Sequence, residues 1–310
     1  MAKVTVTSVQ TQPFLNVEID AAVEKAIDSL NYNFSGVNNV VIKPNLCYYW
    51  TASTGETTDQ RVVTSVIKYI KEKLGKDINI TVAEADASAM QTKYAFTILG
   101  YDEMCRKNDA KLLNLAEGDI VEKTVKVGNS DVTLPFNQVL LDADLVINVP
   151  KLKTHNFMGV TCAMKNIFGA ISKPRKYSYH PNIANVIVAA NKISPSDIIL
   201  VDGLIVRGSY PKRLGVIMAS DNPLTNDYVA AKVMHFNPTN VPYIGLAMKE
   251  KMGETKNIAV TELGTKLADV KNGFPHYSHR MHSISWGLQL KLLKAYTVVS
   301  GDVLPPFLEK

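Results

Sequence analysis

The chain has 310 residues, 46% apolar and 20% charged, a balance ordinary for a globular protein. Lys and Arg number 34 against 29 Asp and Glu, a formal charge of +5. With no long basic block, this permits an acidic small-molecule ligand and demands no nucleic acid. Cys47, Cys105 and Cys162 stand far apart with no C-x-x-C, which excludes a ferredoxin-type cluster motif and a zinc ribbon and suits a reducing compartment.

Met1 to Gln12 lacks the layout of a signal peptide, and no apolar run approaches the roughly 18 residues of a membrane span, so a cytoplasmic location is expected. Asp20 is the expected N-cap of a helix over Ala21 to Leu30. Val40 to Ile42 reads as a short strand ending in Lys43-Pro44-Asn45. Asp59 is the expected N-cap of a helix over Gln60 to Leu74, with Val62, Val63, Val66, Ile67 and Ile70 on one face and Gly75 as its stop. Ile78 to Ala83 reads as a strand ending in Glu84-Ala85-Asp86. Lys123 to Leu134 reads as a hairpin turning at Gly128-Asn129. Leu145 to Val149 is an apolar strand that stops at Pro150, followed by Lys151, Lys153, Thr154 and His155 within five positions. Val160, Ala163, Met164, Ile167, Phe168 and Ile171 fit the spacing of an amphipathic helix starting near Gly159. Ile198 to Val201 ends in Asp202-Gly203, Val216 to Ala219 ends in Ser220-Asp221-Asn222, and Pro223 to Met234 reads as a helix with Pro near its first turn.

Alternating strands and helices argue for an α/β fold: a mostly parallel, mixed sheet with helices on both faces. Residues 1–270 are expected to form this core. Residues 271–310 are expected to form a helical extension, packed on the core or at a homodimer interface through Ile284, Trp286, Leu288, Leu290, Leu292 and Leu293. Ligands of such sheets bind beyond the carboxyl ends of the strands. Five polar strand ends would line one rim with Lys43, Asn45, Glu84, Asp86, Lys151, Lys153, His155, Asp202 and Asp221.

Within that rim, Lys151, Lys153 and His155 at i, i+2 and i+4 would point the same way in extended backbone. An anion held between them and a helix N-terminus would balance their charge. His155 is the natural proton carrier near neutral pH, and a Lys among cations has a lowered pKa and can act as base or nucleophile. Glu84 and Asp86, with Asp202, are candidate metal ligands or acid/base groups; the alternative is that they pair with the lysines. K-P-R-K-Y-S-Y-H at 173–180 has the composition of a lid over an anionic ligand, while nucleic acid is not expected from so short a stretch. His276, His279 and His282 diverge too far on a helix for a zinc site.

The blocks V-I-K-P-N, A-D-L-V-I-N-V-P-K-L-K-T-H, G-V-T-C-A-M-K-N-I-F-G, L-V-D-G and S-D-N-P-L-T-N-D-Y-V-A-A-K-V-M-H-F-N-P, spanning residues 38 to 250, resemble the domain-of-unknown-function family 362. That resemblance brings Lys43, Asn45, Lys151, Lys153, Thr154, Thr161, Lys165 and Asn166 together as candidate ligand contacts. Members often carry a ferredoxin module, whose motif this chain lacks, so no cluster is carried over. The family's core is similar to lactate racemases, which use a nickel pincer nucleotide; that family's own motif is not found here. The cofactor stays open, with a divalent metal among the candidates.

The functional expectation is an enzyme acting on an anionic small molecule, a carboxylate or phosphorylated metabolite, by proton transfer. Lys43, Asn45, Lys151, Lys153, Thr154, Thr161, Asn166 and His180 would bind, His155 or Lys165 would move the proton, and Asp202 or Glu84 would orient it. The alternative is a non-catalytic ligand or cofactor carrier serving an iron–sulfur redox partner.

Overall fold

A computed structural model describes residues 2–277, apart from 89 and 157. Of the expected C-terminal extension, residues 278–310, with the expected helix over 283–296, His279 and His282, lie outside the described residues. In chain order the elements are β1 (Lys3–Ser8), α1 (Asn16–Asp28), β2 (Asn39–Pro44), α2 (Gln60–Leu74), β3 (Asn79–Glu84), α3 (Thr92–Ile98), α4 (Tyr101–Lys107), β4 (Lys111–Asn114), β5 (Ile120–Val127), β6 (Ser130–Asn137), α5 (Gln138–Leu141), β7 (Leu145–Val149), β8 (Lys151–His155), β9 (Gly159–Thr161), α6 (Ala163–Phe168), α7 (Ile183–Ile193), β10 (Ile198–Arg207), β11 (Pro211–Ser220), α8 (Pro223–Val233), α9 (Pro242–Lys249), β12 (Ala259–Leu263) and α10 (Leu267–Gly273). Short 3-10 turns occupy Ala52–Thr54, Lys176–Asn182 and Pro238–Asn240.

The main sheet runs β12-β1-β11-β10-β7-β2-β3-β4. Strands β10, β7, β2, β3 and β4 are mutually parallel, and β11 is antiparallel to both β10 and β1. Successive side chains in a strand face opposite sides, and the packing follows that period. Val41, Val146 and Ile199 join α6, α7, α8 and α9 in one apolar cluster. Val40, Ile42, Leu145 and Ile147 join α1 and α2 in the other. Both sheet faces are therefore covered, as the alternating pattern implied.

Asp59 caps α2 through Arg61 N, and the five apolar positions of that helix are all buried. The 120–137 hairpin forms as read, but as a sheet of its own. Three expectations need correction. Helix α1 begins at Asn16, and Asp20 lies inside it, where its carboxylate takes Ser65 and Lys68 of α2. Strand β11 runs back along β10, so Asp221 sits at the opposite edge of the sheet from the other strand ends. The segment after Val149 is extended as expected but does not run into a helix near Gly159. Strand β8 continues along β10, with Asp202 opposite Lys151 and Arg207 opposite Lys153, then turns back as β9. Helix α6 starts only at Ala163. Val160 is buried by this hairpin and not by a helix; a three-residue segment cannot separate the two by periodicity.

Candidate functional site

Strands β2, β3 and β7 end side by side, and they bring Lys43, Glu84 and the start of β8 to one edge. Each of the three lysines expected to cradle an anion already has a carboxylate. Lys43 Nζ lies 2.7 Å from Glu84 Oε1 and also donates to Pro44 O at 3.0 Å. Burial lowers the Lys43 pKa, and Glu84 works against that fall. Both Glu84 oxygens are engaged, Oε1 also by Ala85 N and Oε2 by Leu46 N. Gly169 must be glycine to pack here, because an added Cβ would lie 2.9 Å from Asn166 O and 3.2 Å from Lys43 Nζ.

Lys151 Nζ lies 2.7 Å from Asp202 Oδ2, with both side chains fully buried. Asp202 Oδ2 also accepts from Asp59 N, and its Oδ1 accepts from Leu204 N. Lys153 donates to Glu56 O at 2.7 Å and lies 3.2 Å from Glu56 Oε2; Arg207 Nε stands 3.6 Å from Glu56 Oε1. Glu56 arrives on a loop that must approach β10 closely. Gly55 makes that approach at φ +73, where a Cβ would sit 2.6 Å from Val206 O.

The positive end of α6 is likewise already answered, from within the chain. Asp227 of α8 accepts Ala163 N at 2.7 Å and Met164 N at 3.0 Å, and it also takes Asn226 Nδ2 and Tyr243 Oη. Burial raises the Asp227 pKa to about 6 despite these four donors. The expected exogenous anion at a helix N-terminus near Gly159 is thus replaced by Asp227.

Asn166, reached from α6, donates to Lys43 O and Asn148 Oδ1 and is buried between β2 and β7. Thr154 Oγ1 donates to Arg207 O. Thr161 lies opposite Lys153 in register, and its hydroxyl is buried without a hydrogen-bond partner; Asn45 Oδ1 is in the same condition. His155 shares the β8 face of Lys151 and Lys153, and its Nδ1 accepts from Met158 N at 3.1 Å. Asp86 Oδ1 takes Thr92 N and Asn114 Nδ2. Among the described residues no group of three or more His, Cys, Asp or Glu could hold a metal ion.

Lys165 differs from the other lysines. No described residue forms an ion pair or hydrogen bond with its ammonium, which stands over the Phe168 ring, 5.5 Å from the centroid. Burial first, then the charge of Lys153 and last that of Lys43, lowers its pKa to about 8, while Cys47 and Glu56 act to raise it. His180 lies within its field, and burial followed by the Lys165 charge lowers the imidazole pKa. His180 belongs to the 173–182 segment, which is tied to the β3 edge. Ser88 Oγ donates to Pro174 O, Tyr177 N donates to Ser88 Oγ, and Lys176 Nζ donates to Asp86 O. Burial lowers the Lys176 pKa to about 7.

The structure thus gathers Lys43, Glu84, Asn166, Lys153, Lys165 and His180 and leaves Asp221 apart. Sequence reading missed Glu56, Asp227 and Lys176. Lys176 lay in the cation–aromatic segment already singled out, and Asp227 lay in the S-D-N-P-L-T-N-D block. Glu56 carried no signal beyond its neighbouring glycine.

His276, the described member of the histidine trio, stacks on His235 with ring centroids 4.7 Å apart. No helix among the described residues is long and apolar enough to cross a membrane.

A curated relative, a thylakoid-associated protein of Synechocystis sp., is 23% identical over 229 residues, 70% of this chain and 68% of its own. Among solved structures the chain is similar to the lactate racemase apoprotein from Thermoanaerobacterium thermosaccharolyticum, with a TM-score of 0.50 and 13% identity over 76% of this chain. It spans 57% of that racemase chain, and at this identity the likeness is one of fold. The model of the domain of unknown function DUF362 matches residues 40–232, a stretch that holds β2 to α8 and every paired lysine at the strand edge, and the chain belongs to that family.

Proposed function

We propose that the chain is an enzyme that moves a proton on a small organic carboxylate at the edge where β2, β3 and β7 end. The observation that carries this reading is Lys165, a half-buried residue whose ammonium has no ion-pair partner among the described residues, beside three lysines that each have one. Three lysines set against three carboxylates leave the edge near neutrality, which suits a monoanion better than a phosphate dianion. The unpartnered Thr161 hydroxyl and Asn45 carbonyl are polar atoms that a bound ligand would complete, as buried polar atoms require. A pKa near 8 keeps part of Lys165 neutral at pH 7 to 8, the condition for a general base. The likeness to the lactate racemase fold supports a carboxylate over other ligand classes by analogy only.

In this reading Lys43–Glu84 and Lys151–Asp202 hold the edge in shape, and Lys153 with Glu56 sets the field at Lys165. Glu84 and Asp202 are therefore positioning groups. A panel of 2-hydroxy and 2-oxo carboxylates incubated with the protein in deuterium oxide tests the proposal by NMR. Deuterium should enter the carbon next to the functional carbon or the hydroxyl-bearing carbon of at least one compound, and Lys165→Ala should reduce the rate by about 100-fold or more, the scale of a positioned acid or base. Exchange that persists in Lys165→Ala overturns the role of Lys165. Absence of exchange across the panel overturns the proton-transfer reading.

A further inference from the structure

We infer that Lys153 and Arg207 form the binding site for the carboxylate of a small 2-hydroxy carboxylic acid, and that the Glu56 side chain occupies this site until such a ligand displaces it. The inference rests on the carboxylate reading above. It adds the place where the carboxylate binds and a second recognised group, the hydroxyl.

Strands β10, β8 and β9 set the site. Arg207 lies opposite Lys153, and Lys153 lies opposite Thr161. Residues directly opposite one another on neighbouring strands share a face, so the guanidinium, the ammonium and the hydroxyl stand in one row. The row is open at one end. Side-chain exposure is 36% at Arg207, 20% at Glu56 and 6% at Lys153, so a carboxylate can enter from the Arg207 side. At the inner end the Thr161 hydroxyl is buried with no hydrogen-bond partner. A buried polar atom in that state is completed by a ligand oxygen.

Glu56 is held in a way that lets it leave. Its Oε2 lies 3.2 Å from Lys153 Nζ, and its Oε1 lies 3.6 Å from Arg207 Nε, the latter beyond hydrogen-bond distance. Its backbone is fixed separately: Glu56 N donates to Thr54 Oγ1 at 3.2 Å, and Glu56 O accepts Lys153 Nζ at 2.7 Å. Rotation of the side chain alone therefore frees the carboxylate, while the loop and Lys153 stay in place. Glu84 and Asp202 have no such freedom. Each is buried, and each accepts two backbone N–H groups besides its lysine. Arg207 also has capacity to spare. Among the described residues its Nη1 and Nη2 make no hydrogen bond or ion pair, and these atoms supply the fork that grips a carboxylate through two parallel bonds. An incoming carboxylate takes over the charge that Glu56 gives up, so the balance between the two cations is preserved.

Glycolate and acetate test this, titrated at fixed ionic strength into the full chain and followed on the backbone amide resonances of β8 and β10. Glycolate should bind, and acetate, which lacks the hydroxyl, should bind less tightly. Glu56→Gln should bind glycolate about 2- to 5-fold more tightly, because the partly exposed pair it removes is a weak competitor. Arg207→Met should bind it about 10-fold or more weakly, the scale of a lost charge-assisted contact. Thr161→Val should bring glycolate down to the affinity of acetate. A purely structural pair predicts something different. Glu56→Gln and Arg207→Met each remove half of the same contact, so they would shift the melting temperature alike and leave the Kd where it was. That result overturns the inference, as does a Kd that moves in the same direction in both variants or no binding of glycolate to either the wild type or Glu56→Gln. Deuterium exchange with an unchanged KM in both variants overturns this site and leaves the proton-transfer reading standing. The expected Kd responses without any exchange support the site and overturn that reading.

Discussion

Replacing Lys151 by Met separates a structural lysine from a ligand-contacting one. Lys151 and Asp202 are fully buried and 2.7 Å apart. Without the ammonium, Asp202 keeps two backbone donors, Asp59 N at 2.7 Å and Leu204 N at 2.9 Å, and loses its ion pair. Breaking a buried pair by removing one partner costs about 3–5 kcal/mol. The two remaining donors place this site toward the lower end, about 3 kcal/mol, since hydrogen bonds to a charged group retain about 1.5–3 kcal/mol each. At roughly 2–4 °C per kcal/mol for chains approaching this size, the melting temperature should fall by about 6–12 °C. Urea denaturation gives the free energy directly, provided the slope with denaturant is unchanged. Asp202→Asn should cost a similar amount, because it strands the buried ammonium. The double variant Lys151→Met with Asp202→Asn should be more stable than the sum of the two losses implies, since it removes both charges together. A loss below about 1 kcal/mol for Lys151→Met refutes the assignment of this pair as a buried strut.

Three further outcomes follow from the same geometry. Gly55→Ala should cost about 1–3 kcal/mol in denaturant titration, because φ is +73 and the new Cβ would press on Val206 O at 2.6 Å. Asp227, with a pKa raised from 3.8 to about 6, binds protons more tightly folded than unfolded, so its contribution to stability grows as pH falls through that window; the wild type should gain on Asp227→Asn by about 3 kcal/mol at most between pH 6 and 3.8. Lys165, lowered from 10.5 to about 8, binds protons more tightly unfolded, so Lys165→Met should be the more stable protein at pH 7 and its advantage should vanish as pH rises through that interval.

What could be read from the chain was local. Asp59 with Gln60–Leu74, the 120–137 hairpin and the apolar strands at 40, 80 and 145 all depend on residues within a few positions of one another, and all formed. The place of the site was legible for the same reason, since Lys43, Lys151 and Lys153 directly end or follow strands. Their partners were not. Glu84 lies 41 residues from Lys43, Asp202 lies 51 from Lys151, and Asp227 lies 64 from the helix it caps. Only the sheet order, with β10 beside β7 and β2 beside β3, fixes those distances. The segment at 159–161 misled in the opposite way, because a short buried hairpin strand presents the same apolar spacing as the first turn of a helix.

The pairing changes what a cluster of lysines means. Four unpaired ammoniums within one low-dielectric edge would repel one another and hold a polyanion. Three of them tied to Glu84, Asp202 and Glu56 do something else. Their net charge is largely cancelled, while the cations of Lys43 and Lys153 still stand near enough to Lys165 to depress its pKa. Glu56 is the pivot of this balance, because it neutralises Lys153 and also acts on Lys165 in the opposite sense, raising its pKa. Removing its charge by Glu56→Gln would leave Lys153 and Arg207 without their carboxylate and strengthen the positive field at Lys165. The midpoint of Lys165 reactivity should then move to lower pH, whereas a lysine governed by burial alone would keep its midpoint.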